Sequence, residues 1–94
     1  MRFRLLGQLF RLDFVPPDKM PKDRCGDCGP PRTDGRPRRI RILDNMSEKD
    51  TLDTILHEGL HGCSWHIDEE FVAKAARDLT RVLWRLGYRK QGGE

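Results

Sequence analysis

Hydrophobic and polar residues alternate in two stretches of the first half of the chain, with the period of two that is typical of half-buried β-strands. In residues 8–15, Phe10 and Phe14 share the apolar face, and in residues 38–43 isoleucines alternate with arginines. The pattern predicts two strands whose apolar faces share one core.

Between these strands the composition changes. Pro16 and Pro17 end the first strand, because proline has no backbone N–H to donate to a neighbouring strand. Residues 18–37 are rich in proline and glycine and predict a long loop, with a hairpin turn at residues 33–36. A hairpin would return the second strand beside the first in the opposite direction. We therefore expect a small antiparallel sheet.

The second half has the periodicity of two amphipathic helices. Ser47 is a favourable N-cap for a helix over residues 47–63, and Asp68 caps a second helix over residues 68–87, where Gly87 provides the C-terminal signal. The predicted fold class is α+β, with the sheet packed on both helices. The predicted buried positions are Leu52, Ile55, Leu56, Gly59 and Cys63 in the first helix, and Val72, Ala75, Ala76, Leu79, Val82, Leu83 and Leu86 in the second.

The composition places these elements in one domain over residues 1–94. Hydrophobic residues make up 36% and charged residues 35% of the chain, and no apolar run approaches the length of a membrane span. The three cysteines are an odd number, which favours reduced thiols over a disulfide framework. We expect a cytoplasmic protein, in the host cytoplasm if it is encoded by a phage.

The net charge of +3 is small, because 18 Lys and Arg residues are nearly balanced by 15 Asp and Glu residues. This balance argues against nucleic acid as a partner. Arg39 and Arg41 fall on the polar face of the second strand, where we expect them to be solvated.

The chemistry centres on the H-E-x-x-H sequence of the first helix. Residues four apart lie on the same side of a helix, so His57 and His61 can offer two imidazole nitrogens to one metal ion, with Glu58 beside them. A catalytic zinc ion usually has three protein ligands and leaves one position for water. A third ligand is therefore required.

The second helix begins with two glutamates that differ in direction. Glu69 shares the inward face with Val72 and Ala76, whereas Glu70 is on the same side as Lys74. We predict Glu69 as the third ligand and keep Glu70 as an alternative.

Two further sets of residues are alternative candidates for zinc ligands. His66 lies five residues after His61, a spacing that does not match the metzincin pattern, and we interpret it as a loop residue near the site. Cys25 and Cys28 form a C-x-x-C pair that could combine with the two histidines of the helix in a closed Cys2His2 structural site. The stretch of chain between the cysteine pair and the histidine pair is much longer than in a zinc finger, which argues against this closed site.

Residues 52–63, 65–72 and 84–89 resemble the small zinc metallopeptidases known as minigluzincins and the ImmA/IrrE-like metallopeptidases of phages and bacteria. In those families the H-E-x-x-H helix is followed by a helix that supplies a glutamate ligand. The resemblance implies a zincin-like domain with one Zn²⁺ and a peptide or protein substrate, and Glu69 with the small residues after it matches the family pattern.

The expected mechanism is peptide hydrolysis by a metal-activated water with Glu58 as the general base. His66 and Tyr88 are candidates for substrate or oxyanion contacts because they lie at element ends. The short chain also suggests that a partner protein completes the cleft. The alternative function is a non-catalytic, zinc-stabilised module that binds protein or nucleic acid.

Overall fold

The computed structural model describes residues 1–90, which form a four-stranded sheet and two helices in an α+β fold. The elements are β1 (Arg2–Leu5), β2 (Gln8–Val15), a 3-10 turn (Pro17–Lys19), β3 (Gly26–Cys28), β4 (Arg38–Leu43), α1 (Glu48–Cys63) and α2 (Glu69–Arg85). Helix α1 packs on the sheet, and α2 packs on α1.

The sheet is mixed, with the strand order β1-β2-β4-β3, so the prediction of an antiparallel sheet was wrong. Strand β4 runs parallel to β2, with Phe10 opposite Arg38 and Phe14 opposite Ile42. The long connection contains β3, which forms the outer edge and pairs antiparallel with β4. The predicted turn at residues 33–36 therefore lies between β3 and β4, and β4 re-enters the sheet in the direction of β2.

The core lies on the face of the sheet that the alternation predicted. Phe10, Ile40 and Ile42 are completely or almost completely buried. The ring of Phe3 stacks on that of Phe10 with 5.5 Å between centroids. The opposite face carries every arginine of β1, β2 and β4 except Arg38, so the sheet has one largely apolar and one charged side.

The predicted start of α1 is confirmed, because the Ser47 hydroxyl accepts a hydrogen bond from the Asp50 backbone N–H. The predicted buried stripe is partly wrong. The side that faces the sheet includes Glu58 and Gly62, which are buried, whereas Cys63 is exposed. A Cβ atom at Gly62 would lie 3.0 Å from the Phe10 ring, so glycine allows α1 to approach the core closely.

Both predicted ends of α2 are confirmed within one or two residues. The Asp68 carboxylate accepts a hydrogen bond from the Phe71 N–H, and Gly87 follows the helix with a φ of +91°. Only Val72, Ala76 and Thr80 are fully buried, so most of the predicted apolar stripe lies outside the core. Within residues 1–90, neither helix combines the length and hydropathy that a membrane span requires.

Arg38 is a buried cation that ties the sheet to the end of α1. Its exposed fraction is 3%, and its guanidinium donates hydrogen bonds to the backbone oxygens of Gly62 and Gly29 and to the side chain of Gln8. It also stacks over the Phe10 ring, 4.7 Å from the centroid. Residues two apart in a strand point to the same face of the sheet, so Arg38 points inward as Ile40 and Ile42 do.

We predict that Arg38→Ala lowers the free energy of unfolding by about 3 kcal/mol, because it leaves two carbonyl oxygens without their donor and opens a gap beside Phe10. Urea unfolding with a metal chelator present measures the change. Arg39→Ala is the control, since Arg39 is exposed and its 3.4 Å ion pair with Asp13 is worth about 1 kcal/mol or less. Equal losses in the two variants would contradict the anchoring role.

Candidate metal centre

Three side chains from the two helices converge at one end of the helix pair. The His57 Nε2 atom lies 2.8 Å from Glu69 Oε1, and the His61 Nε2 atom lies 2.6 Å from Glu69 Oε2. The two imidazole rings are 5.0 Å apart between centroids. A potential ligand atom from each residue lies within 4.8 Å of the other two.

The short connection between the helices places Glu69 over the histidines. The Ile67 N–H donates to the Ser64 carbonyl, which turns the chain back after α1, and Asp68 then caps α2. Glu69 is the first residue of α2, so its carboxylate lies near the positive end of the helix dipole. The cap and the turn therefore aim this carboxylate at His57 and His61.

Glu70 points elsewhere. Its carboxylate pairs with the ammonium group of Lys74 at 3.2 Å, and both side chains are exposed. The structure thus separates the two glutamates by their partners, with Glu69 against the histidines and Glu70 against Lys74. The predicted inward position of Glu69 was wrong in one respect, because its side chain is 67% exposed and lies at the mouth of the site rather than in the core.

Glu58 lies between the histidine pair and the sheet. It is 8% exposed, and burial raises the pKa of its carboxyl above the ordinary value, while His57 and His61 oppose that shift. Asp27 and Glu69 add smaller contributions that raise the pKa further. A carboxyl that is buried beside two imidazoles can accept a proton more readily than an exposed glutamate.

Strand β3 lies close to α1 because residue 26 is a glycine. A Cβ atom there would lie 2.7 Å from Thr54 Cγ2 and 3.3 Å from Glu58 Cγ, and it would also meet the Arg41 carbonyl. The next residue, Asp27, pairs with the Arg41 guanidinium across the strands. An edge strand is therefore fixed directly beside Glu58.

A cavity of about 660 Å³ opens over this group of side chains. Its walls come from α1, from α2 and from β3 with the residues before it. The residues that line it include Cys25, Gly26, Cys28, Asp53, Thr54, His57, Glu58, His61, Trp65, Glu69, Ala73 and Arg77. The potential ligands and Glu58 thus share one open cleft.

The C-x-x-C pair borders the cleft but does not join the ligand group. Cys25 is exposed, and the Cys28 Sγ atom accepts a hydrogen bond from Arg38 at 3.8 Å. Burial raises the pKa of the Cys28 thiol above its ordinary value, although Arg38 opposes the shift. Among residues 1–90, the group of His57, His61 and Glu69 is the one set with metal-ligand spacing, and it contains no cysteine.

His66 and Tyr88 are not among the residues that line the cleft, and both are exposed. Sequence reasoning missed Trp65, Asp53 and Arg77, which do line it. A usable signal existed for two of them: Asp53 precedes His57 by one helical turn, and Arg77 follows Glu69 by two turns.

The residues present fit a catalytic zinc ion. Two imidazoles and one carboxylate are a donor set of catalytic zinc sites, in which these atoms bind at about 2.0–2.2 Å and one position stays open. The spacing of the three side chains suits one ion, and the cleft leaves access for water and substrate.

Comparison of the chain with protein-family models, with curated proteins and with solved structures finds no match.

Proposed function

We propose that this chain is a small zinc-dependent metallopeptidase with a zincin-like arrangement, in which His57, His61 and Glu69 hold one zinc ion. The observation that carries the proposal is the convergence of the three potential ligands on an open cleft that also contains a buried glutamate. A site with a purely structural role would have no need of Glu58.

A zinc ion bound there would supply Lewis acidity, lowering the pKa of a water molecule and polarising a substrate carbonyl. Glu58 accepts a proton from the attacking water through its carboxylate. It then donates this proton to the amide nitrogen as the C–N bond breaks, which leaves a carboxyl product and an amine product. The absence of a side chain at Gly26 leaves room for the Glu58 side chain beside the cleft.

A peptide is the substrate class that the walls of the cleft fit best. Strand β3 is at the edge of the sheet and borders the cleft, so one of its sides has no neighbouring strand. An extended peptide can pair with such an edge through main-chain hydrogen bonds. This pairing would place a peptide bond of the substrate near Glu58.

Ion pairs neutralise only part of the charged face of the sheet. Asp13 and Asp27 pair with the arginines of β2 and β4 on this face, whereas the exposed Arg2 and Arg4 of β1 also lie on it. The preference for a peptide over nucleic acid therefore rests on the cleft and not on this face.

The test is metal-dependent cleavage of a broad peptide library. Zinc-loaded protein should cleave a subset of peptides slowly, a chelator should stop the reaction, and added zinc should restore it. Mass spectrometry of the products identifies the bonds that are cut. The peptidase proposal fails if zinc-loaded, folded protein cleaves no peptide, or if the chelator leaves cleavage unchanged.

A further inference from the structure

A second cavity, of about 250 Å³, lies at one end of the sheet and shares no lining residue with the cleft. The residues that line it are Arg4, Gly7, Gln8, Leu9, Arg32, Gly35, Arg36 and Arg38. Four of these eight residues are arginines, and none of the eight carries a carboxylate. The lining therefore favours an anion as the ligand. We call this cavity the arginine pocket.

The parallel pairing of β2 and β4 brings the two walls of the arginine pocket together. Because parallel strands begin at the same end of a sheet, the segments that precede β2 and β4 meet there. The segment before β2 is a tight turn, in which Leu6 and Gly7 have φ values of +49° and +80°. The segment before β4 turns at Gly35, which has a φ of +78°. The pocket thus depends on the strand direction, which the alternation of residues did not predict.

The most buried residue of the pocket is a cation without a counter-charge. Arg38 is 3% exposed, and its five hydrogen bonds go to the backbone oxygens of Gly29 and Gly62, the Gln8 side chain and the Cys28 thiol, which are neutral acceptors. Within residues 1–90, no carboxylate forms an ion pair with it. Buried charges are usually paired, because burial removes them from water. An anion in the pocket would supply the missing charge.

The other three arginines of the pocket are exposed and retain N–H groups for a ligand. A guanidinium has five N–H groups. Arg4 donates one of them to the Gly7 oxygen, and Arg32 donates two to the Asp34 carboxylate. The Arg36 guanidinium has no partner within the part of the chain that the structure describes, although its backbone N–H donates to Asp34. Asp34 therefore fixes the loop and leaves most of these donors free.

The positive charge of the chain is concentrated at this pocket. The four positive charges of its arginines and the one negative charge of Asp34, which pairs with Arg32, give +3. This value equals the net charge of all 94 residues, so the rest of the chain is balanced. The electrostatic potential therefore attracts anions to this end of the sheet.

The number of arginines indicates which anion fits. A carboxylate has two oxygens and one negative charge, and a single guanidinium can satisfy it with two parallel hydrogen bonds. A terminal phosphate group has three acceptor oxygens and a charge of about −1.5 to −2 at pH 7, so it can accept from several guanidinium groups at once. Three exposed arginines beside a buried fourth are suited to phosphate.

We propose that the arginine pocket binds a phosphate group, with Arg4, Arg32 and Arg36 donating to its oxygens and Arg38 supplying positive charge from the buried side. The proposal goes beyond the peptidase activity and is independent of it, because the pocket and the cleft are separate. The phosphate can belong to a small free molecule or to a nucleic-acid strand, and the experiment separates these two sources.

Isothermal titration of the full chain with inorganic pyrophosphate tests the pocket, with a chelator present so that binding to zinc does not contribute. Wild type should bind with a dissociation constant below about 1 mM, and Arg36→Ala should raise it at least about 10-fold by removing charge-assisted hydrogen bonds. Arg39→Ala is the matched control, because it removes an exposed arginine outside the pocket, and it should bind as wild type does. Circular dichroism verifies the fold, and Arg4→Ala is the second variant, in the opposite wall.

A second titration uses a single-stranded oligonucleotide without terminal phosphates. Binding of pyrophosphate alone assigns a small free phosphate compound to the pocket, whereas oligonucleotide binding that Arg36→Ala weakens at least about 10-fold assigns the phosphates of nucleic acid. The proposal is overturned if folded wild type binds neither probe at phosphate concentrations up to about 10 mM. It is also overturned if Arg36→Ala and Arg4→Ala weaken binding no more than Arg39→Ala does.

Discussion

Glu69→Ala is expected to lower zinc affinity by more than about 100-fold, because even residues that only support a ligand cost 10–100-fold when they are removed. The Glu69 carboxylate contacts both histidines, so its loss removes the link between α1 and α2 at this site. Isothermal titration with zinc, or a competition with a coloured chelator, measures the change.

The same variant should lose the thermal stabilisation that zinc gives. Zinc at about 100 times its dissociation constant adds about 2.7 kcal/mol to wild type. In a chain of this size that corresponds to a rise in Tm of about 10–20 °C.

Glu70→Ala is the matched control, since it removes the adjacent carboxylate, which is exposed and paired with Lys74. It should bind zinc and melt as wild type does. His57→Ala and His61→Ala should behave like Glu69→Ala. If Glu70→Ala loses zinc and Glu69→Ala keeps it, the proposed ligand set is wrong.

Glu58→Gln is expected to lower turnover by about 10²- to 10⁴-fold while zinc binding and the fold are retained. The amide has nearly the same shape as the carboxylate but cannot take a proton from water. The ionised carboxylate is costly to bury, as its raised pKa indicates, so the metal-free variant should be at least as stable as metal-free wild type.

This stability difference has a defined pH dependence. Because the folded-state pKa is raised, ionisation of Glu58 costs stability once the pH rises above the unfolded-state pKa, and the cost reaches its full value above the folded-state pKa. The stability advantage of the metal-free Glu58→Gln variant should therefore grow over this pH range.

Glu70→Gln is the control for turnover, because it makes the same change at an exposed glutamate. Peptide cleavage is compared at equal zinc content, with thermal melts of each protein. Equal turnover in wild type and Glu58→Gln would exclude Glu58 as the general base. Loss of zinc from Glu58→Gln would instead show that this side chain helps to hold the metal.

The local signals in the sequence predicted the helices and the spacing of the site well. Ser47 and Asp68 cap the helices where expected, and Gly87 follows α2. The i, i+4 spacing placed His57 and His61 together, and the helical position of residue 69 placed Glu69 against them, although its side chain is largely exposed. These features depend on helix geometry over a few residues, which the sequence encodes directly.

The sheet was predicted less well because strand direction is a long-range property. Alternation in residues 38–43 identifies the buried face of β4, yet it is the same for a parallel and an antiparallel neighbour. Strand β3 has three residues in a loop rich in glycine and proline and was missed. Its position depends on Gly26 fitting against α1, which no local pattern reveals.

The predicted buried faces of the two helices were partly wrong for a related reason. The apolar positions of α1 and α2 were assigned to the core, but the residues of α1 that face the sheet include Glu58 and Gly62. In α2, Leu79, Val82 and Leu86 are exposed. A glycine permits close packing without contributing hydrophobicity, and a buried glutamate departs from the apolar pattern. Periodicity identifies an apolar face but does not show what covers it.

X-ray absorption of the zinc-loaded protein tests the central claim most directly, because it reports which atoms bind the metal. The His57, His61 and Glu69 centre predicts nitrogen and oxygen ligands alone, at about 2.0–2.2 Å, with the scattering signal of two histidines. Sulfur ligands at about 2.3 Å that disappear in the Cys25→Ser, Cys28→Ser double variant would place the zinc on the cysteines and contradict the proposed centre.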